Sequence, residues 1–244
     1  MVPGKHPRFH LRSPPGRTML VRVAELPPRP HGQIMMKVLT IEREYGSGAN
    51  EIAAKIAERL GWKLWDQLLT TEIARQLECD KVHVEQHEER RDPLHYRLFK
   101  AFLRGSFEGS LNTHRLKLAD ADGIRAVTEQ LVRKAAREEN CVIVGRGSAY
   151  YLHDAPDAFH VFIYAPFDEK VRRLRQRGKT EEEAIELAET VDEDRAAFIK
   201  QHFDIDWPTR QYFHLMLNTA IGDEVVIETV LEAMKAMAPR PVAG

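Results

Sequence analysis

Cysteine is scarce in this chain: Cys79 and Cys141 are the only two in 244 residues. They stand far apart and form no CxxC pair, which excludes a disulfide framework and gives no zinc site. Cys141 opens an apolar run and reads as a small core residue. No apolar stretch reaches the roughly 20 residues of a membrane-spanning helix, and the first residues carry no hydrophobic signal core. The expectation is a soluble, cytoplasmic protein with no membrane partner. Neither sign of charge is in excess, since 36 Lys and Arg face 37 Asp and Glu for a net charge of −1. That balance argues against a bulk electrostatic nucleic-acid binder, so no nucleic-acid partner is expected, while a local cationic cleft stays open. Metal-binding spacing is also missing. His83 and His87 stand four apart in HVEQH, but Val84 occupies the place of the glutamate in a zinc-binding HExxH helix. The last absence is the phosphate-binding string GxxxxGK[ST], which occurs nowhere in the chain.

What is present begins at residue 37. Residues 37–60 read as a strand, a glycine-containing loop and an amphipathic helix. Val38, Leu39 and Ile41 suit a buried parallel strand. Ile52, Ile56 and Leu60, with Ala53 and Ala57 beside them, give one apolar helix face. Between them lies Gly46-Ser47-Gly48. A glycine turn opening onto a helix start offers free amide N–H groups and the positive end of the helix dipole, and this combination binds phosphate. A tight turn with no ligand is the plain alternative.

Residues 1–33 hold seven of the thirteen prolines and a single acid, Glu25. They read as a basic, disordered tail, with Met19, Met35 and Met36 as alternative starts. Residues 34–240 read as one domain in which short apolar strands alternate with helices. Strands are expected at 37–41, 62–65, 141–145, 159–164 and 213–219, and helices at 50–60, 67–78, 114–139, 166–177, 180–203 and 222–237. Such alternation implies α/β architecture with a parallel sheet and right-handed crossovers, and ligands bind beyond the C-terminal strand ends of such sheets. Asp66, Gly145-Arg146, Asn218 and the 46–48 loop all fall at such ends.

Several side chains there could carry chemistry. Arg146, in GRG directly after an apolar strand, can fork two donors onto a phosphate or pair with a nearby carboxylate. Asp192 and Arg195 share a helix face, either as a surface ion pair or as part of a lid that brings Arg195 over the phosphates. Asp66 could hold a magnesium-bound water, meet a substrate group, or cap the next helix. Glu51 suits the first turn of its helix but would repel a phosphate unless a metal intervened. Phe99, Phe102, Leu103 and Phe107 are spaced as a helix face and read as core or as a homodimer contact.

Four segments in order, TIEREYGSGANEIAAKIAERLGWKLWD, CVIVGRGSAYYLHDAPDAFHVFIYAP, VDEDRAAF and YFHLMLNT, resemble the cytidylate kinase-like proteins, relatives of the P-loop nucleoside monophosphate (NMP) kinases. The resemblance covers about residues 36–238. It implies a three-layer P-loop NTPase-like fold with a five-stranded parallel sheet, an NMP-binding insertion at about 67–113 and a helical lid at about 176–211. It also implies ATP and magnesium as cofactors and nucleotides as partners. Gly46, Ser47 and Gly48, followed by Ala49, Asn50 and Glu51, match the phosphate loop. Arg146 matches the arginine that contacts the acceptor nucleotide's phosphate, and Asp192 and Arg195 match a lid element whose Asp meets the cytosine side and whose Arg meets phosphates. Arg43 falls in the I-x-R-E-[YF]-G-S-G string of this branch.

The departures are specific. Glu51 stands at the lysine position of the phosphate loop and Ile52 at the magnesium-binding hydroxyl. Gly147 stands where ordinary cytidylate kinases have Asp, and WDQLLTTE lacks the Ser and Arg they use on CMP. Arg43, or an arginine of helix 166–177, is then expected to replace the lysine. The expected activity is ATP-dependent phosphorylation of a pyrimidine nucleotide, CMP or dCMP, with Arg43, Arg146 and Arg195 catalytic. Asp66, Arg146 and Asp192 would bind the acceptor, and Glu51 and Asp66 are the metal candidates. Two alternatives stand beside it: a catalytically weak nucleotide-binding sensor or partner module, and a kinase of another small acceptor.

Overall fold

The computed structural model describes residues 36–66, 68–69, 72–73 and 121–237. The proline-rich tail, nearly all of the insertion, and the Phe99–Phe107 patch with His83 and His87 lie outside the described residues.

Five short strands form one parallel sheet: β1 (Val38–Arg43), β2 (Lys63–Trp65), β3 (Cys141–Val144), β4 (Ala158–Tyr164) and β5 (Leu215–Asn218), in the order β2-β3-β1-β4-β5. Six helices accompany them among the described residues: α1 (Ala49–Leu60), α2 (Ala121–Glu138), α3 (Ser148–Tyr151), α4 (Phe167–Gln176), α5 (Glu181–Phe203) and α6 (Asp223–Met237). The chain leaves β1 in one direction for β2 and later passes from β3 to β4 on the other side. The loops after β1 and β3 therefore flank the switch point where such sheets bind ligands.

Strand alternation sorts the core into two layers. Leu39, Ile41, Val142, Val144, Val161 and Ile163 pack under α1 and α6, against Ile52, Ile56, Val226 and Val230. Val38, Cys141 and Ile143 face the opposite side, where Leu131, Val132, Tyr150, Tyr151, Phe198 and Ile199 cover them. A single fully buried Ile such as Ile52 or Ile56 contributes about 2 kcal/mol by leaving water. Cys141 is buried, as its apolar run suggests, and burial pushes its thiol up to about 12.

Local signals fix the ends of the elements nearest the site. Gly48 (φ 84°) starts α1 and Gly61 (φ 64°) ends it, both in the left-handed region that glycine adopts at least cost. Thr180 and Glu183 form a reciprocal capping box at the start of α5: the Glu183 amide donates to Thr180 Oγ1 at 3.2 Å and the Thr180 amide to Glu183 Oε2 at 2.9 Å. The one-turn helix α3 is not expected from the sequence, because four residues carry no readable periodicity. No described helix is long and apolar enough to cross a membrane.

Candidate active site

The loop after β1 turns onto α1 through two left-handed glycines, Gly46 at φ 75° and Gly48 at φ 84°. Buried Ser47 steadies the turn by donating its hydroxyl to the Glu44 carbonyl at 2.8 Å. Gly48 caps α1 with no side-chain bond, and the first-turn amides of a helix have no acceptor within the helix itself. Helix α4 lies directly on this loop. A Cβ on Gly46 would stand 3.1 Å from Cβ of Lys170, and one on Gly48 would overlap the guanidinium of Arg173, 3.0 Å from its Cζ. Glu51 is exposed and bound to Arg177 at 2.5 Å, while Ile52 points into the core with no exposure.

Beyond the ends of β1 and β3 three arginines gather. Gly145, Arg146 and Gly147 are consecutive left-handed residues at φ 66°, 62° and 66°. For Arg146 that backbone is strained, the kind of strain that concentrates at functional sites. Its side chain is 1% exposed. Gly145 must lack a Cβ because the Arg43 guanidinium occupies that space. Arg195 reaches over from α5 to donate Nη1 to the Arg43 carbonyl at 2.9 Å, and its Nη2 is a buried donor with no partner among the described residues. Burial first, then mutual repulsion, lowers Arg43 to about 10 and Arg146 to about 9, with Asp66 and Glu42 pulling the other way. Both stay cationic at neutral pH. Glu42 is itself buried, and burial raises its carboxyl against the opposing pull of Arg43, Arg195 and Arg146.

A second network ties α5 to the loop. Asp192 accepts the Tyr45 amide at 2.8 Å and Arg195 Nη1 at 3.0 Å on one oxygen, and Lys170 Nζ at 3.0 Å on the other. Lys170 also meets Glu44 at 2.7 Å. Burial alone would lower the Lys170 ammonium, but Asp192 and Glu44 outweigh it and hold it above its ordinary value. This Asp-Arg pair is therefore no surface ion pair: the side chains are 15% and 6% exposed and bridge two elements.

A glycine turn on a helix start, arginines at the neighbouring strand ends and a long helix reaching across them form one connected arrangement. The model of the cytidylate kinase-like family matches residues 38–221, most of the chain. The chain belongs to the cytidylate kinase-like family. No curated protein matches it. An uncharacterized protein from Eubacterium ventriosum ATCC 27560 is similar in fold, with TM-score 0.60 and 21% identity over 82% of this chain and 99% of its own. A gluconokinase from Sinorhizobium meliloti 1021 shows TM-score 0.48 and 13% identity over 84% of this chain and 94% of its own. TT1252 from Thermus thermophilus shows TM-score 0.46 and 20% identity over 84% and 100%. At 21% identity the likeness to the Eubacterium ventriosum protein is one of fold alone. The fold is the three-layer α/β fold of the P-loop kinases, and membership of the family supports a phosphotransferase.

Within this cytidylate kinase-like frame, the structure brings Arg43, Arg146 and Arg195 together, with Asp66 close enough to Arg43 and Arg146 to act on their charge. Gly46, Ser47, Gly48, Ala49, Asn50 and Glu51 form the neighbouring loop and first helical turn. Asp192 is at the junction of the two groups, both oxygens engaged. Asn218 caps the turn after β5, accepting the Ala220 amide at 2.9 Å. Sequence reading missed Glu42, Glu44 and Lys170. Glu42 could have been found as an acid within a strand that opens with apolar residues and is buried throughout. Lys170 was hidden among the charges of α4, and its role appears only once α4 is seen on the loop.

Proposed function

We propose that this protein transfers the γ-phosphoryl group of ATP to an anionic acceptor, with CMP or dCMP as the first choice. The observation that carries the reading is three buried guanidinium groups, Arg43, Arg146 and Arg195, beside a glycine loop on an uncapped helix N-terminus. Glu42, Asp66 and Asp192 offset part of this positive charge, and the buried Nη2 of Arg195, with no partner among the described residues, is a donor that an incoming phosphate could meet. ATP would lie on the 46–51 loop, with Arg146 and Arg43 on the acceptor phosphate and Arg195 between the two. An acceptor phosphate oxygen attacks the γ-phosphorus in line, the bond to the β–γ bridging oxygen breaks, and ADP leaves. The protein's part is positioning and cancelling charge on the moving group.

Magnesium would arrive with the phosphates and neutralise charge on their β- and γ-oxygens. Ile52 offers no hydroxyl, Glu51 is held by Arg177, and no three metal-binding side chains gather among the described residues. Asp66 would be the acid to meet a water of the hydrated ion. The second reading, a nucleotide-binding module with weak turnover, is favoured by one observation: α1 carries an acid and an aliphatic side chain where a lysine and a hydroxyl would serve transfer. Incubation with ATP, magnesium and a panel of nucleoside monophosphates, nucleosides and small hydroxyl acceptors separates the readings. Acceptor-dependent ADP formation supports the kinase and names its substrate. Thermal stabilisation by nucleotide without turnover supports the module. Neither response in any mixture contradicts both.

A further inference from the structure

Helix α4 is laid along the phosphate loop as a row of cations. Lys170, Arg173 and Arg177 recur at spacings of three and four, so they share one side of the helix. Each lands on a successive part of the loop: Lys170 on Gly46, the Arg173 guanidinium on Gly48, and Arg177 on Glu51. Lys170 is committed to Glu44 and Asp192 with its side chain only 10% exposed. Arg177 is engaged by Glu51. Arg173 alone of the three stands at the cap of α1, where the first-turn amides converge. Its Nε is held by Glu169 at 2.7 Å, and its two terminal nitrogens fork onto Asp223 at 2.6 and 3.1 Å.

We propose that Arg173 supplies the positive charge that the loop lacks at its lysine position, and that Asp223 is the anion a triphosphate displaces from it. The proposal rests on the reading that the 46–51 loop holds ATP. A carboxylate and a phosphate offer a guanidinium the same two-oxygen edge, so one can replace the other without moving the arginine. Glu169 keeps Nε in place during the exchange. The released Asp223 stays in the first turn of α6, 30% exposed, where helix amides and water receive its charge. The incoming triphosphate gains the dipole of α1 as well as the arginine. Arg43 cannot play this part, because its guanidinium lies on Gly145 among the arginines at the other side of the site.

Titration calorimetry of the full chain with ATP and with inorganic tripolyphosphate tests this, the second probe removing any contribution from the base. Wild type is expected to bind both. Arg173→Ala should weaken both by about tenfold or more, as loss of a charge-assisted fork requires, and Arg173→Lys should recover part of that loss. Asp223→Asn should tighten tripolyphosphate by removing its competitor. Arg175→Ala, at an exposed neighbour that pairs with Glu181 at 3.4 Å, should change neither. Melting curves establish that each variant is folded, and the Lys variant keeps the comparison decisive if the Ala variant is not. Unchanged affinity in both Arg173 variants overturns the proposal. So does Asp223→Asn weakening binding as much as Arg173→Ala, because the pair would then be only a brace between α4 and α6. Binding of neither probe by wild type removes the reading of the loop itself, and this proposal with it.

Discussion

The amide of Tyr45 donates to Oδ1 of Asp192 at 2.8 Å, joining the glycine loop after β1 to α5 across 147 positions of chain. The same carboxylate gathers Lys170 and Arg195. One side chain thus fixes the entry to the glycine turn, holds α5 over the site and neutralises two partly buried cations.

Asp192→Asn should therefore cost about 3 kcal/mol of stability, since it leaves Lys170 and Arg195 buried without their shared anion. Urea unfolding reads this directly. A loss below about 1 kcal/mol, the level of an exposed ion pair, would contradict the tie between α5 and the glycine loop.

Gly147 stands where ordinary cytidylate kinases have Asp, and the structure supplies a reason. Its φ is 66°, and a Cβ there would lie 2.9 Å from Cζ of Phe203 at the end of α5. Gly147→Asp should destabilise the protein by about 1–3 kcal/mol through backbone strain and overpacking. Adding Phe203→Ala should restore part of it in a double-mutant cycle of melting temperatures. A stable Gly147→Asp variant would refute the steric account.

The longer helices were legible from their periodic apolar faces and the short strands from apolar runs, while the helix expected at 67–78 lies largely outside the described residues. The strand beginning at Val38 and the helix beginning at Ala49 lie within a residue or two of their expected bounds. Arg146 was legible as a strand-end arginine, and Gly46-Ser47-Gly48 as a loop onto a helix. The partners of Asp192 were not, because an Asp and an Arg three apart on a charged helix look the same on a surface as over a site. Nor could sequence choose among the arginines of α4: only the fold shows that Arg173 faces Gly48 while Arg172 and Arg175 point outward, each 52–56% exposed.

His160 gives a pH signature remote from the site. Its Nδ1 is 2.7 Å from Thr40 Oγ1, its ring stacks on His214, and burial, then His214, lowers it to about 4. A depressed histidine contributes stability that is complete above its unfolded value near 6.5 and lost as pH falls through about 4. Wild type should lose up to about 3 kcal/mol across that window, and His160→Gln should lose less. Equal losses in denaturant titrations at about pH 7.5 and about pH 4.5 would contradict it.

Arg146→Ala should leave the fold intact, because it removes a buried cation that burial and its neighbours Arg43 and Arg195 all disfavour. It should lower acceptor-dependent ADP formation by about a hundredfold while ATP affinity moves less than about threefold. Loss of ATP affinity equal to the loss of turnover would place Arg146 on the donor instead.

The central claim is that a glycine loop without a lysine still holds a polyphosphate. Calorimetric titration of wild-type protein with ATP, with and without magnesium, tests it most directly. Saturable heat at one site per chain, strengthened by the ion, is the expected result. Absence of heat under both conditions would contradict it.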